Sequence, residues 1–113
     1  MSKRYVVIEG IGTTTEAEAA VKEVGSETAY VVPAGKMLTV VSFFVHNKNA
    51  NPRYCKVRVG NTLLVGAAQI PSNDTLQSES GFNAYLKAGE QITVQAEVDN
   101  DLGYRFSGIE VDA

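Results

Sequence analysis

Apolar positions along this chain recur mostly at every second residue, in short runs. In "QITVQAEV", Ile92, Val94, Ala96 and Val98 point one way while Gln91, Thr93, Gln95 and Glu97 point to water. That is the period of a strand with one buried face. Runs of this kind predict strands at Tyr5–Ile8, Thr28–Val32, Met37–His46, Arg53–Val59, Thr62–Val65, Ala67–Ile70, Thr75–Ser78, Phe82–Leu86, Gln91–Val98 and Tyr104–Asp112. Turn-forming stretches divide them: "PAG", "NKNANP", "GN", "PSND", "SGFN", "KAGE" and "DNDLG". Short strands at this spacing argue for an all-β fold, an antiparallel β-sandwich or jelly roll, and their number favours two sheets.

Three segments break the alternation. Met37, Leu38, Val40, Val41, Phe43, Phe44 and Val45 make one strand apolar on both faces. Either a second copy of the chain or a partner covers the extra face, or the N-terminal segment Tyr5–Val24 folds over it. In "YRFSGIEV" the apolar set shifts from Tyr104 and Phe106 to Ile109 and Val111. A β-bulge at Ser107–Gly108, with its glycine, accounts for that slip. Ala17, Ala20, Val21 and Val24 fall at helical spacing, with a capping box of Thr15 and Glu18 and a stop at Gly25. They read as one short N-terminal helix or a polar loop.

"PAGKMLTV" and "KAGEQITV" echo each other at an offset of 54 residues. A shared tight turn explains this more simply than a duplication, with Gly35 and Gly89 supplying a positive φ after Pro33 or its counterpart.

The 113-residue length suits a single domain, read as an N-terminal arm over 1–27 and a β core over 28–113. The chain is 44% hydrophobic, enough for a core without a staple, and its net charge of −3 disfavours nucleic acid or anionic membrane as partner. One cysteine, Cys55, forms no internal disulfide and shares a strand face with Val57 and Val59. No signal peptide or transmembrane segment is visible, so the chain reads as made and folded in a reducing cytoplasm.

Catalytic chemistry is hard to assemble from these residues. His46 is the only histidine, too few for an imidazole metal site, and no motif pairs it with a nucleophile. Asp99–Asp101 lacks the ligand alternation of a calcium loop, and "GIGTTT" lacks the lysine of a phosphate loop. Tyr54 with Arg53, Lys56 and Arg58 makes a small basic strand, read as a solvated edge. The expectation is no enzyme, no metal and no cofactor.

"AYVVPAGKMLTVVSFFVHN", "AYLKAGEQITVQAEV" and "GYRFSGIEV" together resemble small virion proteins of tailed bacteriophages. In these a "VPAGK" turn feeds a strand ending in Asn, and an "L-x-AG-E" turn feeds a later one. The resemblance covers roughly Ala29 to Val111, and its matching positions Pro33, Gly35, Asn47 and Gly89 are structural, as is Gly108. It implies a capsid decoration (cement) protein on the outer capsid surface, binding the major capsid protein and itself, as a homotrimer. Met37, Val41, Phe43 and Val45 are then the expected self-association face. Lys3, Arg4 and Tyr5, on an arm that orders on binding, are the expected capsid contact. A tail or fibre component with a receptor-binding role and a carbohydrate-binding sandwich module are the rival readings.

Overall fold

The computed structural model describes residues 3–11, 19–20, 29–98 and 100–113. Among the described residues nine strands follow one another: β1 Lys3–Ile11, β2 Ala19–Ala20, β3 Lys36–Asn47, β4 Arg53–Val59, β5 Thr62–Ile70, β6 Thr75–Gln77, β7 Ala84–Lys87, β8 Ile92–Ala96 and β9 Leu102–Asp112. They form two antiparallel sheets. A five-stranded sheet runs β1-β9-β3, with β6 and β7 both pairing with the far side of β3, and a four-stranded sheet runs β2-β8-β4-β5. Counting β6 and β7 as one interrupted strand, the pairs nest as β1–β9, β2–β8, β3–β6/β7 and β4–β5. This is a long antiparallel ribbon rolled so that alternate pairs fall in opposite sheets, which is a jelly roll.

The inner faces supply the core. Val6, Ile8, Leu38, Val40, Phe43, Val45, Leu86, Leu102 and Phe106 from the larger sheet meet Cys55, Val57, Val59, Ile70, Ile92, Val94 and Ala96 from the smaller. Tyr30 and Val32 are buried with them.

The doubly apolar strand is explained by a bulge. Val40 pairs with Gly108 but Ser42 pairs with Ser107, so Val41 is the extra residue in β3. Before it Leu38 and Val40 point into the core, and after it Phe43, Val45 and Asn47 do. One strand thereby buries apolar residues of both parities on a single face, without a cover on the other. The bulge expected at Ser107–Gly108 is corrected by this register: β9 keeps its phase against β1 throughout. Its inward positions include Gly108 and Glu110, and Ile109 and Val111 face outward. Gly108 serves the bulge from the neighbouring strand, since a β-carbon there would come within 2.7 Å of the Thr39 carbonyl oxygen.

The N-terminal expectations also change. Lys3–Ile11 is paired along its whole length with β9, and Val6 and Ile8 enter the core beside β3 in the same sheet. This stretch is a strand of the fold, neither an arm nor a cover for β3. Ala19–Ala20, in the middle of the segment read as helix or loop, pairs with Val94 and Thr93 as an edge strand. The remaining residues of that segment, Thr15, Ala17, Val21 and Gly25 among them, lie outside the described residues.

Smaller differences follow from local geometry. Thr62–Ile70 is one strand, with register shifts against β4 around Val57 rather than a break at Gly66. The echoed turns are the same structure: Lys36 N–H donates to Pro33 C=O at 3.1 Å with Gly35 at φ +75°, and Glu90 N–H donates to Lys87 C=O at 3.0 Å with Gly89 at φ +88°. Both are turns with a left-handed third residue, which glycine adopts without strain. They lie side by side, joined through Val32, whose N–H donates to Glu90 C=O and whose C=O accepts from Gly89 N–H.

Candidate functional site

With the inner faces filled, the outer face of the five-stranded sheet carries Tyr5, Ile11, Val41, Phe44 and Tyr85 as exposed large apolar side chains, while Tyr54 and Leu63 stand exposed on the smaller sheet. Alternation sets Lys3, Tyr5, Val7, Glu9 and Ile11 outward on β1, and Arg105, Ser107, Ile109 and Val111 outward on β9. Met37, Thr39, Val41, Phe44 and His46 stand outward on β3, and Tyr85 and Lys87 on β7. The register aligns them in rows. Tyr5 lies opposite Ile109, Ile109 opposite Thr39, and Thr39 opposite Tyr85. One step along the strands, Lys3, Val111, Met37 and Lys87 make a second row of the same kind. Tyr5 is 72% exposed and Tyr85 66%, while the residues between them are half-buried. Toward the other end, Ile11, Phe44, His46, Arg105 and Gly103 line a shallow hollow of about 520 Å³, open because Gly103 has no side chain.

Two ion pairs frame the face. Glu9 and Arg105, directly opposed on β1 and β9, approach to 3.3 Å on its surface. Arg4 turns the other way. Its Nη2 donates to Glu110 Oε2 at 2.9 Å and its Nε to Oε1 at 3.3 Å, and the Tyr30 hydroxyl donates to Oε2 at 2.8 Å. Glu110 is only 6% exposed, so its inward carboxylate is tolerated because three donors reach it. The Arg4 hydrogen bonds hold its carboxyl below the usual carboxylate range, against the opposing effect of burial, and Tyr30 adds to them.

A depressed carboxyl stabilises the fold above its unfolded value, about pH 4.3, and loses that contribution as pH falls through the lower folded value. Glu110→Gln is therefore expected to cost about 1–2 kcal/mol near neutrality, Arg4 being half-exposed to solvent. The gap from the parent should narrow as pH is lowered to about 3. Urea midpoints at the two pH values check this, and a gap independent of pH would contradict the role given to the carboxylate.

The expected surfaces are thus redistributed. Met37 and Val41, assigned to self-association, and Lys3 and Tyr5, assigned to capsid contact, share this one outer face. Phe43 and Val45, also assigned to self-association, are corrected: both are buried between the sheets, Phe43 stacked on Phe106 at 5.4 Å between ring centres. Arg4, also assigned to capsid contact, is half-exposed and has its guanidinium engaged by Glu110. Ile109, Val111, Tyr85 and Lys87 were not singled out from the sequence, although the outward parity of "AYLK" was a readable sign of the last two.

The other candidates hold structural places. His46 Nδ1 lies 2.8 Å from Thr75 Oγ1, and among the described residues no group of His, Cys, Asp and Glu could hold a metal. Asp99 lies outside the described residues, and Asp101 is fixed by Arg53, whose hydrogen bond holds its carboxyl below the usual range. Arg53 thereby leaves the basic strand face, where Tyr54, Lys56 and Arg58 remain on the outside of the smaller sheet. Burial pushes the Cys55 thiol up to about 11, which makes it unreactive near neutral pH.

No family model and no curated protein matches this chain. Among solved structures, a protein of the Bacillus endospore appendages, described as a family of disulfide-linked pili, aligns over 98% of this chain and 87% of its own. The sequence identity is 12% and the TM-score 0.47. No helix among the described residues is long and apolar enough to cross a membrane.

Proposed function

We propose that this chain is a non-enzymatic structural protein that works by adhesion, a decoration protein of the outer capsid of a tailed phage. The observation that carries the reading is the outer face of the five-stranded sheet, where Tyr5, Tyr85, Val41, Phe44 and Met37 stand outward from a sheet whose inner face already fills the core. A surface of this kind gains by being covered, at roughly 25 cal/mol per Å² of apolar area removed from water. The "VPAGK" and "L-x-AG-E" turns of the virion-protein resemblance, at Pro33–Lys36 and Lys87–Glu90, support the same reading.

In this mechanism many copies sit on the capsid lattice, as homotrimers, and each bridges neighbouring capsid subunits. Because such a site exists only when the subunits are joined, binding favours the assembled shell by mass action. The end of the face carrying Val41 and Phe44 serves contact between copies, and the end carrying Lys3 and Tyr5 serves the capsid protein. No cofactor takes part.

The test is the copy number of the protein in purified particles, by quantitative mass spectrometry against the major capsid protein. A count comparable to that of the capsid protein supports a lattice-wide cement, together with a loss of particle heat resistance when the protein is stripped. A handful of copies transfers the assignment to a tail or fibre component. Absence from the particle ends the virion reading.

A further inference from the structure

The basic end of the outer face has a geometry that specifies its occupant. Two short motifs bracket it, Lys3 and Tyr5 on β1 and Lys87 and Tyr85 on β7, each pair projecting from the same side of the sheet. In register they lie three strand spacings apart, about 14 Å, on either side of β9 and β3. The floor between the two tyrosines is Ile109 and Thr39, and between the two lysines Val111 and Met37. The floor residues are half-buried while the two tyrosines are well exposed, so the tyrosines flank a shallow, mainly apolar trough. The Lys3 ammonium sits 5.9 Å from the centre of the Tyr5 ring, and neither Lys3 nor Lys87 is matched to a carboxylate among the described residues.

We infer that this trough binds a protein segment presenting an apolar stripe flanked by acidic side chains, the stripe lying on Ile109, Thr39, Val111 and Met37 and the carboxylates meeting Lys3 and Lys87. Charge selects this occupant. The chain as a whole carries a net charge of −3, yet both unmatched cations of this face stand at one end of it. A second copy docked through the same face brings the same two lysines, and among the described residues the one carboxylate on the strands of that face, Glu9, is already engaged by Arg105. An acidic segment from a different chain therefore fits better than self-docking. The flanking tyrosines add contact area at a small cost in side-chain ordering. The inference deepens the capsid reading by naming the partner's chemistry at that end, and it rests on that reading only for the partner's location. Its test uses no particle, so the two can fail separately.

The immobilised full chain is challenged with a library of random dodecapeptides in mRNA display, and enriched peptides are measured by titration. Enriched sequences should combine apolar or aromatic residues with Asp or Glu. Lys3→Glu/Lys87→Glu should weaken them at least about tenfold, and Tyr5→Ser/Tyr85→Ser should weaken them comparably. A control with the same change in charge, Lys48→Glu/Lys56→Glu, away from this face, should leave binding unchanged. All these positions are solvent-facing, so thermal unfolding of each variant should match the parent and exclude misfolding. The inference is overturned if no peptides are enriched, if they show no acidic bias, or if binding survives both face variants. A change in oligomeric mass with the face variants, without loss of peptide binding, would also overturn it, and assign the trough to a second copy.

Discussion

Replacing Phe106 with alanine should lower the stability of this protein by about 3–5 kcal/mol, the range for emptying an aromatic site in a closed core. Phe106 sits in the middle of β9, the strand that joins β1 to β3, and is 1% exposed. Its ring stacks on Phe43, with centroids 5.4 Å apart and planes 14° from parallel, and Phe43 in turn meets Phe82 edge-on at 5.2 Å. Tyr104 packs against it at 6.1 Å. Removing the ring therefore takes contacts directly from Phe43 on β3 and from Tyr104 on β9. A domain of this size has a total stability of only about 5–15 kcal/mol, so the alanine variant could be largely unfolded. Phe106→Leu, which keeps most of the volume, keeps the comparison measurable and should cost clearly less. Urea unfolding checks both, and an alanine midpoint equal to that of the parent would remove Phe106 from the core.

Asn47→Asp should be nearly as damaging, although it changes one side-chain atom. Asn47 is 0% exposed at the end of β3. Its Nδ2 donates to the carbonyl oxygens of Asn51 at 2.9 Å, Ile70 at 3.1 Å and Pro71 at 3.3 Å, and its Oδ1 accepts from Asn49 N–H at 2.9 Å. One side chain thus holds the β3–β4 connection to the end of β5. An aspartate keeps the acceptor but turns the donor into a second oxygen facing three carbonyls. A buried acceptor left without a donor costs about 1–3 kcal/mol, and more when it is charged. The expected loss is about 3 kcal/mol or more at neutral pH. The substituted carboxyl shifts the opposite way to that of Glu110, though both losses shrink on acidification. The substituted carboxyl is raised in the folded state, so the penalty is full above the folded value and shrinks as pH falls toward the ordinary aspartate value near about 4. Denaturation midpoints at neutral and acid pH measure it, and a loss that grows on acidification would refute the assigned hydrogen bonds.

Much of the fold was legible in sequence because strands with one wet face carry their own signature. Arg53–Val59 appears with the bounds read from its alternation, and the strands at Thr75, Ile92 and Tyr104 differ from their readings only at the ends. The echoed Ala-Gly turns were legible for a related reason, since a left-handed backbone position narrows the choice of residue to very few. The candidate face was legible only in fragments. Met37, Val41, Lys3 and Tyr5 were singled out for different roles, and the sequence held no sign that β1 and β3 lie two places apart in one sheet.

What the sequence determined by itself was periodicity and punctuation: an all-β chain, where its strands run and where its turns fall. Tertiary structure alone decided three things. A bulge belongs to a strand pair, so the alternation of β3 and of β9 offered two sites for one irregularity, and only their register assigned it to Val41. Glu110 faces inward because Arg4 and Tyr30, from distant parts of the chain, arrive to donate to it. Ala19–Ala20, in a stretch of helical spacing, is extended because β8 offers it a paired edge. Helical propensity is worth a few tenths of a kcal/mol per residue, about the scale of what a paired edge can outweigh. Each outcome depends on which strands become neighbours, and local patterning does not encode that.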